Sequence, residues 1–179
     1  MMVHTVRDER GCEWTSEDGT ATEDGVREFM YALVRLVKPQ VAIETGAYTG
    51  AMTKYMARGM LLNNMPGTLD SCDTDVAFVE RAQQMTGMFD FVTVHHMSGV
   101  DLIQRTTHID FAFIDSGGDR MEEITALLPR LNSGAFVAIH DTSREDERNA
   151  VDYVMSAMPN TQQMYFPTPR GLTILRVCA

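Results

Sequence analysis

Apolar positions change their spacing several times along the chain, and each change marks an element. From Thr22 onward Val26, Phe29, Met30, Leu33, Val34 and Val37 recur at intervals of three and four, which predicts an amphipathic helix with Thr22 as its N-cap and Pro39 closing it. VAIET (41–45) is a short apolar run with the look of a buried strand, followed by glycines and a helix that carries Met52, Met56 and Met60 on one stripe. The alternation continues with a strand at 67–73, a helix at 75–86, a strand at 91–96, a short helix at 99–105, a strand at 109–115, a helix at 119–131, a strand at 135–141 and a helix near 145–157. QQMYF (162–166) and LTILRV (172–177) are two further strands, joined by PTPRG, too short a link for a parallel crossover. Residues 1 to about 22 show no period and read as an arm or loop.

Strands alternating with helices predict an α/β fold, a doubly wound, Rossmann-like, mostly parallel sheet of seven strands ending in a C-terminal antiparallel hairpin. With 179 residues there is room for one ordinary domain, set at 22–179, preceded by an acidic arm at 1–21. The formal net charge is -10, and no two basic residues are adjacent, which argues against a nucleic-acid partner. No apolar run approaches the roughly 20 residues of a membrane span, and the first residues lack the succession of a secretory signal. Three cysteines, Cys12, Cys72 and Cys178, are odd in number and not spaced as metal ligands, so the expected setting is cytoplasmic. The arm holds much of the acidity: residues 1–28 contain Asp8, Glu9, Glu13, Glu17, Asp18, Glu23, Asp24 and Glu28 against Arg7, Arg10 and Arg27.

The segment Glu44-Thr-Gly46-Ala-Tyr48-Thr-Gly50 joins the first of these strands to a helix. Gly46 suits a tight turn that approaches a ligand, Gly50 allows close helix packing, and Glu44 stands beside the turn. Strand 67–73 ends in Asp73, where a carboxylate of a dinucleotide-type fold accepts hydrogen bonds from ribose hydroxyls; a helix cap is the plainer role, which Asp75 fills in its own right. Two more strands end in acids, Asp115 and Asp141, so Glu44, Asp73, Asp115 and Asp141 are expected along one rim of the sheet, with Ser116-Gly-Gly118 leaving space for a ligand.

In order and spacing, IETGAYTG, YMAR, Asp73, VTVHHMSGVDLI, FAFIDSGGDR and FVAIHDT resemble the class I S-adenosylmethionine (SAM)-dependent methyltransferases, in particular the small O-methyltransferases related to catechol O-methyltransferase, over about residues 22–145. The resemblance implies that Glu44, Gly46 and Tyr48, with Ala47 and Gly50 of the same turn, surround the methionine part of SAM. It further implies that Asp73 binds the ribose, that Thr74 and the Met97, Ser98, Gly99 segment enclose the adenine, and that Asp115 stands between cofactor and a small-molecule methyl acceptor. Such enzymes commonly hold Mg2+ or another divalent cation with the equivalents of Asp115 and of two consecutive residues, here His140-Asp141 or Asp141-Thr142. The family's basic lysine falls at Gly118, so His140 becomes the candidate general base, with Asp115, His140 and Asp141 as the catalytic set.

Two other function classes compete: a SAM or nucleoside binder without methyl transfer (or an enzyme using SAM for other chemistry), and an NAD-linked oxidoreductase, disfavoured because the G-x-G-x-x-G turn is missing. His140-Asp141 lacks the helix-borne histidines of a metal phosphohydrolase. By alternation His95 and His96 point to opposite sides of a strand, one to the core and one to solvent. The 14 methionines are assigned to core packing and the arginines to ordinary surface charge, while Trp14 either covers the acceptor pocket or anchors the arm. Homo-oligomerisation is left open.

Overall fold

A computed structural model describes residues 4–7, 11–64 and 67–178; Asp8, Glu9 and Arg10 of the acidic arm lie outside the described residues. The chain runs β1 (His4–Arg7), β2 (Glu13–Ser16), α1 (Asp24–Val37), β3 (Val41–Thr45), α2 (Ala51–Leu61), β4 (Thr68–Asp73), α3 (Val76–Thr86), β5 (Val92–His96) and α4 (Gly99–Arg105). It continues with β6 (Ile109–Ile114), α5 (Arg120–Leu127), a 3-10 turn (Leu128–Arg130), β7 (Leu131–His140), α6 (Glu145–Ala157), β8 (Gln162–Phe166) and β9 (Leu172–Arg176). The main sheet has seven strands in the order β5-β4-β3-β6-β7-β9-β8, parallel from β5 to β7 and closed by the antiparallel β9-β8 pair, as the sequence predicts.

Side-chain alternation on the strands divides the core in two. On β6, Phe111 and Phe113 face Met30, Met56 and Met60 of α1 and α2, whereas Ile109, Ala112 and Ile114 face Ile103, Ile124 and Val154 of α4, α5 and α6. Both sets are apolar because the parallel strands are covered on both faces. The methionine stripe is therefore core, with Met52 at its upper end bordering a cavity.

Three local departures have physical causes. Thr22 does not cap α1: Glu23 holds that position without a side-chain cap bond, and the Thr22 hydroxyl is turned toward Asp115, to which it donates at 2.8 Å. The helix expected over 119–131 ends at Leu127, where Pro129 tightens the chain into the 3-10 turn, so that β7 begins at Leu131 rather than 135. The arm is not irregular throughout, since β1 and β2 pair antiparallel from His4↔Ser16 to Arg7↔Glu13.

After β3 the chain winds outward through β4 and β5, then returns across β3 to β6 and β7, which makes the β3/β6 boundary a topological switch point. The strands end level there: the Gly46 N–H donates to the Cys72 carbonyl at 2.9 Å and the Asp115 N–H to the Thr45 carbonyl at 3.1 Å. Gly50, at φ 84, brings α2 against α3, and a Cβ there would stand 2.6 Å from Ala82 Cα. Gly50→Ala is expected to destabilise the fold by roughly 2 kcal/mol or more, combining left-handed strain with a backbone clash, as measured by chemical denaturation. A change under about 0.5 kcal/mol would show that α3 yields freely.

Candidate functional site

Two cavities adjoin at the carboxyl ends of β3, β4 and β6, and share Gly46, Asp73, Thr74 and the Ser116–Gly118 turn. The larger, about 660 Å³, runs from Ala47, Tyr48 and Phe78 across Asp115 to Asp141 and Arg170. The smaller, about 530 Å³, is lined by Met97, Ser98, Gly99 and Asp101 on one side and Glu122 and Glu123 on the other. A Cβ on Gly46 would meet the Asp115 carbonyl oxygen at 2.5 Å, so glycine with φ 86 is what allows the β3 turn to cross the β6 turn between the cavities.

Asp73 is fixed by two backbone donors, the N–H groups of Tyr48 and Asp75, each at 2.9 Å, and its carboxylate lines both cavities. Asp75 caps α3, as expected, through the Ala77 N–H. The Ser98 side chain caps α4 by accepting from the Asp101 N–H.

Glu44 is placed differently from the other rim acids. It lies wholly buried beneath the glycine turn and lines neither cavity; its Oε2 accepts from Ser71 Oγ at 2.6 Å and from Thr53 Oγ1, while Oε1 has no partner among the described residues. Burial, aided by the nearby Asp115 and Asp73 charges and only partly offset by the two hydroxyls, pushes this carboxyl up to about 8, so it is neutral at pH 7. Gly50 also lines neither cavity and acts through the helix contact described above.

The remaining candidates converge at the end of β7. His140 is fully buried, with Nδ1 2.9 Å from Asp115 Oδ1 and Nε2 2.6 Å from Glu23 Oε2. Burial disfavours the imidazolium, but the two carboxylates outweigh it and raise His140 to about 10, so the ring is charged at neutral pH. Asp115 and Glu23 are reciprocally held below the usual carboxylate range, because the His140 charge overcomes the effect of their burial. With both ring nitrogens engaged and protonated, His140 is not poised as a general base; it holds Asp115 in place instead. Asp141, at φ 64, faces the cavity, whereas Thr142 is buried behind it and bonded to the Thr173 hydroxyl at 3.0 Å.

Asp115, His140 and Asp141 each offer a ligand atom within 4.8 Å of the others, a donor set of the kind and spacing that holds a divalent cation. Protein cations stand at the same atoms. Arg170 spans Asp141, Nε to Oδ1 at 2.6 Å and Nη2 to Oδ2 at 2.7 Å, and Arg120 Nη2 lies 3.7 Å from Asp115. A metal ion entering the cluster has to displace Arg170 and the His140 proton.

The sequence reading missed this basic component. Arg27 and Arg120 are buried, and together with Arg144 and Arg170 they line the larger cavity instead of lying on an ordinary surface. Arg120 is locked by Glu147 at 2.6 Å. Glu23 was also missed; nothing in its local sequence distinguishes it from the other arm acids, and only the fold brings it to His140, 117 residues away. Trp14 lies on β2 and lines neither cavity. Neither His95 nor His96 enters the core: His95 pairs with Asp70 at 2.7 Å and His96 reaches the Thr74 carbonyl at 3.0 Å, because β5 is an edge strand.

The family model described as "Methyltransferase domain" matches residues 43–142, more than half of the chain, from within β3 to Thr142. The chain belongs to this methyltransferase family. No curated protein matches it. Among solved structures, a Geobacter sulfurreducens methyltransferase superposes with a TM-score of 0.77 at 17% identity, covering 89% of this chain and 81% of that one. The O-methyltransferase of Bacillus cereus, solved with S-adenosylhomocysteine (SAH), gives 0.73 at 15% identity, over 89% and 84%. TomG of Streptomyces achromogenes, an O-methyltransferase of tomaymycin synthesis solved with SAM, gives 0.72 at 18% identity, over 89% and 82%. At these identities the likeness establishes a shared fold.

Two predictions test the electrostatics of this methyltransferase. Glu44 is raised in the folded state, so between about pH 4.5 and 8 the native protein carries a proton that the unfolded chain has released, and stability contributed by Glu44 falls as pH rises through that window. The stability difference between the unsubstituted protein and Glu44→Gln, followed by denaturation from pH 5 to 9, is expected to shift by a few kcal/mol toward the variant; a constant difference would place the ionisation elsewhere. Arg170→Ala is expected to bind Mn2+ about tenfold more tightly than the unsubstituted protein by calorimetry, since a competing cation is removed. Equal affinities would show that Arg170 does not compete.

Proposed function

We propose that this methyltransferase uses SAM to methylate an oxygen of a small molecule, within a domain of residues 22–179 that the arm 1–21 helps to enclose, in a cytoplasmic setting consistent with its odd cysteine count. The observation that carries the reading is the pair of adjoining cavities joined at Asp73 and Gly46, a nucleoside-sized recess beside a second space that contains Asp115.

The residues fit SAM. The Asp73 carboxylate, oriented by two backbone N–H groups, is placed to accept from ribose hydroxyls. Met97, Ser98 and Gly99 offer one wall for an adenine, with Thr74 at its edge. Helix α2 begins with neither a side-chain cap bond nor an acid in its first turn, and Ala51 and Met52 line the cavity; its N–H groups suit the methionine carboxylate. Tyr48 adds an aromatic wall, packed on Phe78 with ring centroids 4.5 Å apart. SAM supplies a methyl group on an electrophilic sulfonium.

The protein's task is then to present the acceptor oxygen. Asp115, kept ionised by His140, Arg120 and Arg170, is the cavity-facing carboxylate that can accept a hydrogen bond from an acceptor hydroxyl and take its proton as the oxygen is methylated. Thr22 donates to Asp115 Oδ2 while His140 holds Oδ1, so an acceptor hydroxyl would share or replace the Thr22 contact. Positioning carries most of the acceleration in such a displacement, on the order of 7–11 kcal/mol for well-aligned groups. If a divalent cation binds, Asp115, His140 and Asp141 are the residues that would hold it, and it would supply positive charge beside the acceptor oxygen.

Calorimetric titration with SAM, SAH and NAD, with and without Mg2+, tests the cofactor assignment: SAM and SAH are expected to bind, and Asp73→Ala to weaken them at least about tenfold. NAD binding without SAM binding would sink the proposal. Asp115→Asn is expected to lower methyl-transfer kcat by roughly 100-fold or more with little change in SAH affinity. SAM binding with no transfer to any hydroxylated acceptor would leave a binding protein.

A further inference from the structure

Helix α1 has a second apolar face. Val26, Met30, Leu33 and Val34 point into the core, and beside them Gly25, Phe29, Ala32 and Leu36 form another stripe. Its intervals of four, three and four residues are those of a seam between two helices. Gly25, Ala32 and Leu36 are exposed, Leu36 at 78%, and Phe29 is half-buried.

The patch continues from the helix onto the edge of the sheet. The Phe29 ring packs on Phe166 of β8 with centroids 4.7 Å apart, and Met164, two residues back on the same face of that strand, is 59% exposed. Strand β8 is the outermost of its sheet and carries no charged residue, although charge is a common guard of an edge strand. A contiguous exposed apolar patch of this kind marks an interaction surface.

The charges around the stripe select the partner. Besides Asp24 and the buried Arg27, α1 has two charged residues, Glu28 and Arg35, both exposed and both on one flank of the stripe. When two copies of α1 lie antiparallel about a two-fold axis beside Ala32, Glu28 of each stands opposite Arg35 of the other. Phe29 of each then enters the gap between Ala32 and Leu36 of the other. Ala32, close to the axis, is small enough to let the helices approach to about 8–10 Å. A net charge of -10 makes copies of this chain repel one another in general, so self-association has to use a face whose own charges balance, as Glu28 and Arg35 do.

We propose that this face of α1, with Met164 and Phe166 of β8 beside it, is the interface of a two-fold homodimer. The dimer covers Leu36 and Met164, and it steadies the functional site, because α1 starts at Glu23, which holds His140 at 2.6 Å. The association does not depend on which molecule the cavities bind.

Sedimentation velocity of the full chain, from about 1 to 100 μM, tests the interface. A species of twice the chain mass is expected. Ala32→Lys, which sets two ammonium groups beside the axis, is expected to be monomeric. Glu28→Arg and Arg35→Glu are each expected to weaken the dimer at least about tenfold, and the double variant Glu28→Arg with Arg35→Glu to recover most of the loss. All three positions are exposed, so the thermal midpoints of the monomeric variants should stay close to one another. A monomer throughout the range, a dimer that Ala32→Lys leaves intact, or single charge reversals without effect would overturn the proposal. Weakening by both single reversals with no recovery in the double variant would overturn it equally, since the antiparallel pairing requires that recovery.

Discussion

A charged imidazole cannot stand wholly buried at the end of β7 without carboxylates around it, and the layout of the site follows from how those are supplied. Burying an isolated ion costs several kcal/mol even after relaxation, so His140 needs partners on both nitrogens. Asp115 comes from the end of β6 and Glu23 from the start of α1, at 2.9 and 2.6 Å. The same requirement works in reverse: Asp115 and Glu23 remain ionised in a covered position because His140 lies between them. One proton thereby ties two strands of the sheet to the segment that precedes the first large helix.

That tie also fixes the arm. Once Glu23 is anchored, residues 17–22 have to cross the mouth of the larger cavity, and their contacts follow its rim: Asp18 accepts from the Tyr48 hydroxyl at 2.8 Å, Glu17 from Thr49 at 2.9 Å, and the Thr20 carbonyl from Arg170 at 3.0 Å. Several of the acids that make the arm so negative are thus occupied at the glycine turn and the β8-β9 turn, and the contacts hold the cavity wall together. The acidic bias of the first 28 residues belongs to the site in part, and is not only a solubility feature.

The fold was legible because its signals are local and repeated. Short apolar runs bounded by turns, helical stripes such as Val26 to Val37, and a five-residue link between the last two strands each report on themselves, and together they leave few topologies. The strand-end positions of Asp73, Asp115 and Asp141 were legible for the same reason, since ends of parallel strands share one edge. Glu44 shows the limit. Period two cannot tell a carboxylate that faces a cavity from one that lies under a turn with Ser71 and Thr53 as partners. Arg27, Arg120 and Arg170 were not legible, because arginines scattered singly over 143 residues of sequence look like surface charge until folding brings them to one wall.

The absence of a lysine at Gly118 acquires a different meaning in this setting. A lysine three residues beyond Asp115 would bring a further cation to a wall that already holds Arg120 and Arg170, both within the electrostatic environment of Asp115. Like charges at that spacing destabilise one another unless more carboxylates are added, and the acids available, Glu123 and Glu147, are already engaged by Arg120. Gly118 instead keeps the turn narrow, its N–H donating to Ser116 Oγ at 3.1 Å, and leaves the space beside Asp115 open. The positive charge that a lysine would bring to this wall is present here as guanidinium groups that stay protonated at any physiological pH. Such groups are donors only and cannot remove a proton, whereas the Asp115 carboxylate, an acceptor held in place by His140, lines the same cavity.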